Sequence, residues 1–257
     1  MCNVSNFKQA VGFLISILAF NVSAQPEKSV EEILLRADQY RLDSAAAKVV
    51  SEVQLYENDE LETTRHYTVY TRPERESLVV FKSKVEAGQK MLMLGDNYWL
   101  LMPKSRRPIR ITPMQKLLGE ASVGDISTLT WSADYQGKWV QSLELKLPMS
   151  ESVMVNQLEL TAKTSGASYQ RIELWLEKGS DFPIRATMYL RSGKLAKEAW
   201  FTKGERNART SVVAMTLHDR IQPSKKTVIN YQEISPVALE AKYYNPAYLS
   251  RNTVSGL

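Results

Sequence analysis

The chain has 257 residues and a formal charge of +5, from 33 lysines and arginines against 28 aspartates and glutamates. Its single cysteine, Cys2, lies near the N-terminus, so the rest of the chain excludes disulfides, thiolate metal sites and cysteine nucleophiles. Basic residues are interleaved with acidic ones, unlike the clustered basic face of a nucleic-acid-binding protein, and no nucleic-acid partner is predicted.

The N-terminal segment has the pattern of a secretory signal peptide. Lys8 precedes the apolar run AVGFLISILAF, and the small-residue sequence VSA ends at Ala24. The run is shorter than the roughly 20 apolar residues that a transmembrane helix needs. We therefore expect residues 1–24 to be a cleaved signal peptide and residues 25–257 to form a single domain.

A helix is predicted over residues 28–48, with Ser29 as a candidate N-cap and acidic residues in the first turn, where the helix dipole favours negative charge. Its apolar positions recur at helical spacing on one face. They are Ile33, Leu34, Ala37 and Tyr40.

Beyond this helix, short runs rich in β-branched and aromatic residues alternate with turn residues, which predicts strands. Fourteen strands are predicted: 49–57, 62–72, 75–85, 89–94, 97–102, 107–111, 127–135, 139–147, 153–163, 169–178, 182–191, 194–203, 209–219 and 224–234. Apolar and polar residues alternate in several of them, which is typical of antiparallel sheets with one dry face. Since fourteen strands exceed the usual size of a flat open sheet, the sheet should curl. The predicted fold is mostly β (α+β), a strongly curved antiparallel sheet covered by the N-terminal helix and short lid helices.

The stretch NYWLLMPKSRRPIRITPMQKLL, residues 97–118, combines an apolar strand, a basic loop and a second apolar segment. Because the strand is apolar on both faces, both faces need a cover. The predicted helix 28–48 and the segment Met114–Leu118 are available for this purpose. The curled sheet then encloses either a filled core or an apolar cavity, and the close packing of protein interiors favours the filled core.

Catalytic motifs are missing from the sequence. His66 and His218 are isolated, and the HExxH, GxSxG, Walker and Rossmann patterns are not found. We predict a protein that is not an enzyme and that has no cofactor and no metal site.

Several segments, in order along the chain, resemble the outer membrane lipoprotein-sorting family, relatives of the periplasmic carrier LolA. They are EEILLRADQYR (31–41), NYWLLMPKSRRPIRITPMQKLLG (97–119), DFPIRATMYLRSGKLAKEAWF (181–201), KKTVINYQEI (225–234) and NPAYLSR (245–251). The chain departs from the family at ASVGDISTLTW (121–131), where a compact aromatic and acidic motif is expected.

The resemblance implies an incomplete β-barrel closed by helices, with a hydrophobic cavity for acyl chains, in a Gram-negative periplasm. The expected function is that of a periplasmic carrier that moves a lipid or lipoprotein between envelope sites without chemistry. The alternative is an accessory or interaction protein of an envelope export system of the RND or ABC type. Acyl chains are the expected ligand, an inner-membrane transporter is a candidate partner, and a monomer is expected.

Two sets of residues are the candidate site. The predicted cavity lining comprises Leu92, Leu94, Trp99, Leu101, Met114, Leu117, Leu118, Leu174, Leu176, Met188, Leu190 and Trp200. The predicted contacts to lipid head groups or to a partner are Lys104, Arg106, Arg107 and Arg110. The alternative for the apolar set is an ordinary packed core, and the alternative for the cations is a solvated loop.

Overall fold

A computed structural model of the chain describes residues 28–42, 46–118, 121–127, 130–148 and 152–252. The side chains of residues 116–118 and 123 are outside this description, as is the predicted signal peptide with Cys2. None of the described helices is long and apolar enough to cross a membrane.

The described chain folds into three short α-helices and fifteen strands. The helices are α1 Val30–Gln39, α2 Val123–Ser127 and α3 Pro246–Arg251, with 3₁₀ helices at Lys84–Glu86 and Ala241–Tyr244. The strands are β1 Ala47–Glu57, β2 Glu60–Arg72, β3 Glu76–Phe81, β4 Lys90–Leu94, β5 Asn97–Leu101, β6 Ile109–Ile111, β7 Lys116–Leu118, β8 Ala121–Ser122, β9 Tyr135–Lys146, β10 Ser152–Ala162, β11 Arg171–Glu177, β12 Pro183–Tyr189, β13 Leu195–Arg206, β14 Arg209–Asp219 and β15 Lys225–Pro236.

Helix α1 starts at a capping box, in which Ser29 Oγ accepts from the Glu32 backbone and the Glu32 carboxylate accepts from the Ser29 backbone. The helix ends at Gln39, well short of the predicted end at residue 48. The alanines near the end of the predicted helix instead lead into β1, where burial alternates with period two from Ala47. Strand pairing of β1 therefore overrides the helix propensity of those alanines.

Thirteen strands form one antiparallel sheet in the order β6-β5-β4-β3-β2-β1-β15-β14-β13-β12-β11-β10-β9. Neighbouring strands follow one another in sequence except at the junction of β1 with β15, where Ser51 lies opposite Tyr231. Strands β6 and β9 form the two edges and are not hydrogen-bonded to each other. The predicted mostly-β fold with an unclosed antiparallel sheet is confirmed.

Alternation along each strand separates two hydrophobic clusters on opposite faces of the sheet. In β3, Val79 and Phe81 belong to the larger cluster and Leu78 and Val80 to the smaller one. We call the face with the larger cluster, which α1 and α2 join, the inner face. The opposite, outer face of β2–β5 is covered by the C-terminal segment 237–249.

Two element predictions near the middle of the chain are wrong. The segment Met114–Leu118 is not a lid helix, because residues 116–118 form β7 and pair with β8 in a separate two-stranded sheet. The predicted strand 127–135 is also wrong: α2 ends at Ser127 and residues 132–134 form a turn before β9. A five-residue helix has too few hydrogen bonds to be stable alone, so tertiary contacts determine the secondary structure of this region.

Candidate functional site

The segment that links the two sheet edges lies over the inner face in its described parts, residues 112–118, 121–127 and 130–134, and we call these parts the cover. It contains the β7–β8 hairpin and α2, and α2 packs against β2 and β3. Ala121, Ile126 and Trp131 are buried in the inner cluster, and Met114 packs against it. The cover therefore adds its own side chains to the core without joining the main sheet.

A buried ion pair joins the cover to the sheet. Lys197 Nζ of β13 lies 2.6 Å from Asp125 Oδ2 of α2, with side-chain exposures of 2% and 4%. The same carboxylate accepts from the backbone N–H and the hydroxyl of Ser122, both at 2.8 Å, and from the Tyr169 hydroxyl at 2.9 Å. Burial opposes ionisation, but Lys197 and Ser122 outweigh it and hold the pKa of Asp125 below its ordinary value.

A second set of polar contacts holds the C-terminal end of the cover to α1. Asp38 accepts from the backbone N–H groups of Trp131 at 2.6 Å and Ser132 at 2.9 Å. Burial raises the pKa of Asp38, although these hydrogen bonds oppose the rise. The guanidinium of Arg41 stacks over the Trp131 ring at 4.5 Å, so α1 and its C-terminal extension hold the cover by backbone and aromatic contacts.

Arg75 connects the cover to the turns at one end of the sheet. Its guanidinium lies 2.5 Å from Asp134 and 2.7 Å from Asp96, and it donates to Thr164 Oγ1 at 3.2 Å. The Tyr98 hydroxyl donates to the Gly166 carbonyl at 3.0 Å in the same region. These contacts bring the β4–β5 turn, the β10–β11 connection and the start of β9 together at one end of the sheet.

A cavity of about 50 Å³ lies between the cover and the inner face. Its lining includes Arg41, Asp125, Trp131, Tyr169, Ile172, Met188, Phe201 and Met215. An apolar cavity of roughly 150 Å³ is what benzene occupies in another protein, so this cavity is too small for an alkyl chain. The expectation of an acyl-sized cavity is therefore not met by this cavity among the described residues.

A larger cleft of about 440 Å³ adjoins the cavity from outside. It is lined by the C-terminal half of α1, by the β2–β3 turn and by the cover. Thr130 and Asp134 line both spaces, so the C-terminal end of the cover is the wall between them. Movement of this wall would join the cleft to the interior.

The structure separates the predicted cavity-lining residues into two groups. Leu174, Leu176 and Met188 are buried in the inner cluster, and Met114, Leu190 and Trp200 pack against it. Only Met188 of these lines the cavity. Leu117 and Leu118 lie in β7, and their side chains are not described.

Four of the predicted lining residues are on the outer face instead. Leu92 and Leu101 are buried in the outer cluster, and Leu94 and Trp99 pack against it. The C-terminal segment covers them, so they cannot line one space with Met188. Strands β4 and β5 are apolar on both faces, so alternation along them could not identify the inner face. The inner positions are Met91, Met93 and Tyr98.

The predicted head-group cations also differ in their surroundings. Lys104, Arg106 and Arg107 are exposed in the β5–β6 loop. Arg110 stacks over the Trp99 ring at 4.6 Å and donates to Asn97 Oδ1 at 2.6 Å. All four cations are exposed and open to a partner, and Arg110 also stabilises the edge of the sheet.

Sequence reasoning did not select Arg41, Asp125 or Lys197. A signal for Lys197 was present, because it occupies the same alternating face of β13 as Ala199 and Phe201. A lysine in an apolar stripe requires a buried counter-charge. Within the part of the chain that the structure describes, no group of His, Cys, Asp and Glu side chains could hold a metal ion.

Comparison with known proteins gives one family and several similar folds. A family model described as an uncharacterized protein matches residues 73–251. A LolA superfamily protein from Nitrosomonas europaea is similar, with 24% identity and a TM-score of 0.77, over 85% of this chain and 98% of that chain. No curated protein matches the chain.

Two further solved structures share the fold. A DUF1329 family protein from Desulfovibrio piger has 20% identity and a TM-score of 0.68, over 85% of this chain and 97% of that one. A domain described as an outer membrane lipoprotein-sorting protein from Vibrio parahaemolyticus has 19% identity and a TM-score of 0.67, over 86% of this chain and 98% of that one. At these identities the likeness establishes the fold alone.

Proposed function

We propose that this chain, which belongs to a family of uncharacterized proteins and has the LolA-like fold, binds the acyl chains of a lipid or lipoprotein between its inner face and its cover. The predicted signal peptide and the resemblance to lipoprotein-sorting proteins support a periplasmic location. The protein would move its ligand between envelope sites without catalysing a reaction.

The observation that carries this proposal is the construction of the cover. The described residues of the cover are outside the main sheet. They are held to it by buried side chains such as Ile126 and Trp131 and by a few polar links, chiefly Asp125 with Lys197 and Asp38 with the backbone at Trp131. Opening would expose Met188, Phe201 and Met215, which line the cavity. Methionine and aromatic side chains adapt well to apolar ligands.

The energies of opening and of ligand burial are compatible with such a mechanism. Each buried CH₂ group contributes about 0.8 kcal/mol, so burial of about fourteen contributes about 11 kcal/mol. Deleting one partner of a buried ion pair lowers the folding stability by about 3–5 kcal/mol. Opening the cover costs less than such a deletion, because both charges of the pair are then hydrated. Acyl-chain burial can therefore offset the loss of the links at Asp125.

The exposed cations of the β5–β6 loop, Lys104, Arg106 and Arg107, would face anionic head groups or a partner protein. Each basic residue near an anionic membrane surface contributes about 1 kcal/mol. This interaction would bring the protein to its donor or acceptor site.

The small size of the cavity, about 50 Å³, favours a second candidate function. A protein with a filled interior could serve as an accessory or interaction protein of an envelope export system, with the basic loop as its docking surface. In that case, no lipid enters between the cover and the inner face.

Lipid extraction distinguishes the two candidates. The purified protein is extracted with organic solvent, and the extract is examined by mass spectrometry. We expect acyl lipid from the wild type and less from Ala186→Leu, which fills the cavity, whereas Trp99→Leu on the outer face should match the wild type. A blank extract from the wild type would contradict the carrier and support the accessory protein.

A further inference from the structure

We infer that Arg41 receives a carboxylate head group inside the protein, so that the ligand is a small-headed anionic amphiphile such as a fatty acid. This inference rests on the proposed function and specifies its ligand class.

Arg41 is an unusual interior residue. It is 5% exposed, lines the cavity, and its guanidinium lies 4.5 Å from the Trp131 ring and 5.7 Å from the Phe201 ring. Its Nε is buried and has no hydrogen-bond partner. Among the described residues, no carboxylate oxygen lies within the 4.0 Å of a salt bridge to Arg41.

The sheet beside Arg41 carries two buried hydroxyls. Tyr231 OH, whose polar neighbour is Arg41, and Ser51 Oγ, whose polar neighbour is Tyr67, make no hydrogen bond of good geometry, and the two residues are opposite each other on β15 and β1. Burial raises the pKa of Tyr231, although the neighbouring Arg41 opposes the rise, so the hydroxyl keeps its proton and can donate. Buried polar groups that are incompletely paired are costly, and a cluster of them indicates a missing polar partner.

The acidic groups around the cavity are occupied by other partners. Asp125 is paired with Lys197 and Asp134 with Arg75. Both Asp38 oxygens accept backbone N–H groups. Arg41 is therefore a cation of the cavity wall with an unused donor, and its fork geometry suits a carboxylate.

The size of the cavity restricts the head group. One water needs roughly 10–15 Å³ of such space, so a cavity of about 50 Å³ holds a few non-hydrogen atoms. A carboxylate, with three non-hydrogen atoms, fits, whereas a glycerophosphate does not. The tail would run past Thr130 and Asp134, between the displaced end of the cover and the sheet, toward the adjoining cleft, which Leu35, Leu42 and Met93 help to line.

The test compares three ligands with one twelve-carbon chain: laurate, methyl laurate and dodecanol, measured by displacement of a fluorescent fatty-acid probe from the purified protein. A charged hydrogen bond contributes about 1.5–3 kcal/mol, so laurate should bind roughly 10- to 100-fold more tightly than methyl laurate. Arg41→Gln should lose that preference. Arg36→Gln is the matched control, because Arg36 lies in α1, five residues before Arg41, with a side chain 42% exposed.

The outcomes separate this inference from the proposed function. Equal binding of laurate and methyl laurate to the wild type overturns the carboxylate site and leaves acyl binding standing. Failure of all three ligands to bind contradicts both. If Arg41→Gln does not fold, as judged by circular dichroism, Arg41→Lys replaces it, and the comparison of acid with ester in the wild type decides without any variant.

Discussion

Replacing Lys197 by Met should lower the free energy of unfolding by about 3–5 kcal/mol, because it leaves Asp125 buried without its counter-charge. The pair is 2.6 Å apart, with exposures of 2% and 4%. Lys203→Met is the matched control: Lys203 is on the same strand, also 2.6 Å from its partner Glu177, but 43% exposed. An exposed pair contributes about 1 kcal/mol or less.

Urea unfolding, followed by tryptophan fluorescence and by circular dichroism, measures both variants. The double variant Lys197→Met with Asp125→Asn should recover much of the loss, since it leaves no unpaired charge. If Lys197→Met costs no more than Lys203→Met, the ion pair does not hold the cover, and the reasoning about the cover is refuted.

The same pair predicts a pH dependence. Lys197 and Ser122 outweigh burial and keep the pKa of Asp125 below its ordinary value in the folded protein. Such an acid contributes stability above its unfolded pKa of about 3.9, and the contribution is lost as the pH falls through the folded pKa. In Lys197→Met, burial would instead raise the pKa of Asp125, so the variant's deficit should shrink as the pH is lowered. A deficit that stays constant down to about pH 4 would contradict this.

Three further predictions concern elements outside the ion pair, all measured as free energies of unfolding in urea. Leu249→Ala, in the outer cluster, should cost about 2–5 kcal/mol without changing lipid extraction; a change in extraction would place the ligand on the outer face. Asn245→Ala should cost about 0.5–2 kcal/mol because Asn245 caps α3, and an unchanged value would mean that α3 adds nothing to the fold. Gly137→Ala should destabilise the protein, since its Cβ would lie 2.5 Å from Val30 Cγ1; full stability would show that α1 can move away from β9.

Regular alternation made most of the sheet predictable. Ile172, Leu174 and Ala186 alternate with charged residues, and the strands that contain them lie close to their predicted positions. The inner face of α1, with Ile33, Leu34 and Ala37, was predicted from its helical spacing. The resemblance to lipoprotein-sorting proteins is confirmed at the level of the fold.

The structure of the cover, and which face of β4 and β5 is the inner one, could not be predicted from the sequence. After Lys90 in β4 and Asn97 in β5, every position is apolar or aromatic, so a shift of one residue exchanges the faces with little change in the pattern. Trp99 was predicted to line the cavity, but it packs in the outer cluster. In the cover, backbone pairing of β7 with β8 and the contacts of Asp125 decide the structure. The contact of Asp125 with Lys197 joins residues that are 72 positions apart in the chain, and no local pattern shows it.

The central claim is that ligand enters by movement of the cover, and a reversible cross-link tests it most directly. A Cβ at Gly124 of α2 would lie 2.8 Å from Ser168 Cβ, so a small shift reaches the roughly 3.5–4.5 Å of a disulfide. Gly124→Cys with Ser168→Cys, in a Cys2→Ser background, would fix the cover to the β10–β11 connection. The oxidised protein should take up no fluorescent fatty acid, and reduction should restore the uptake of the single variants. Full uptake by the oxidised protein would contradict the claim.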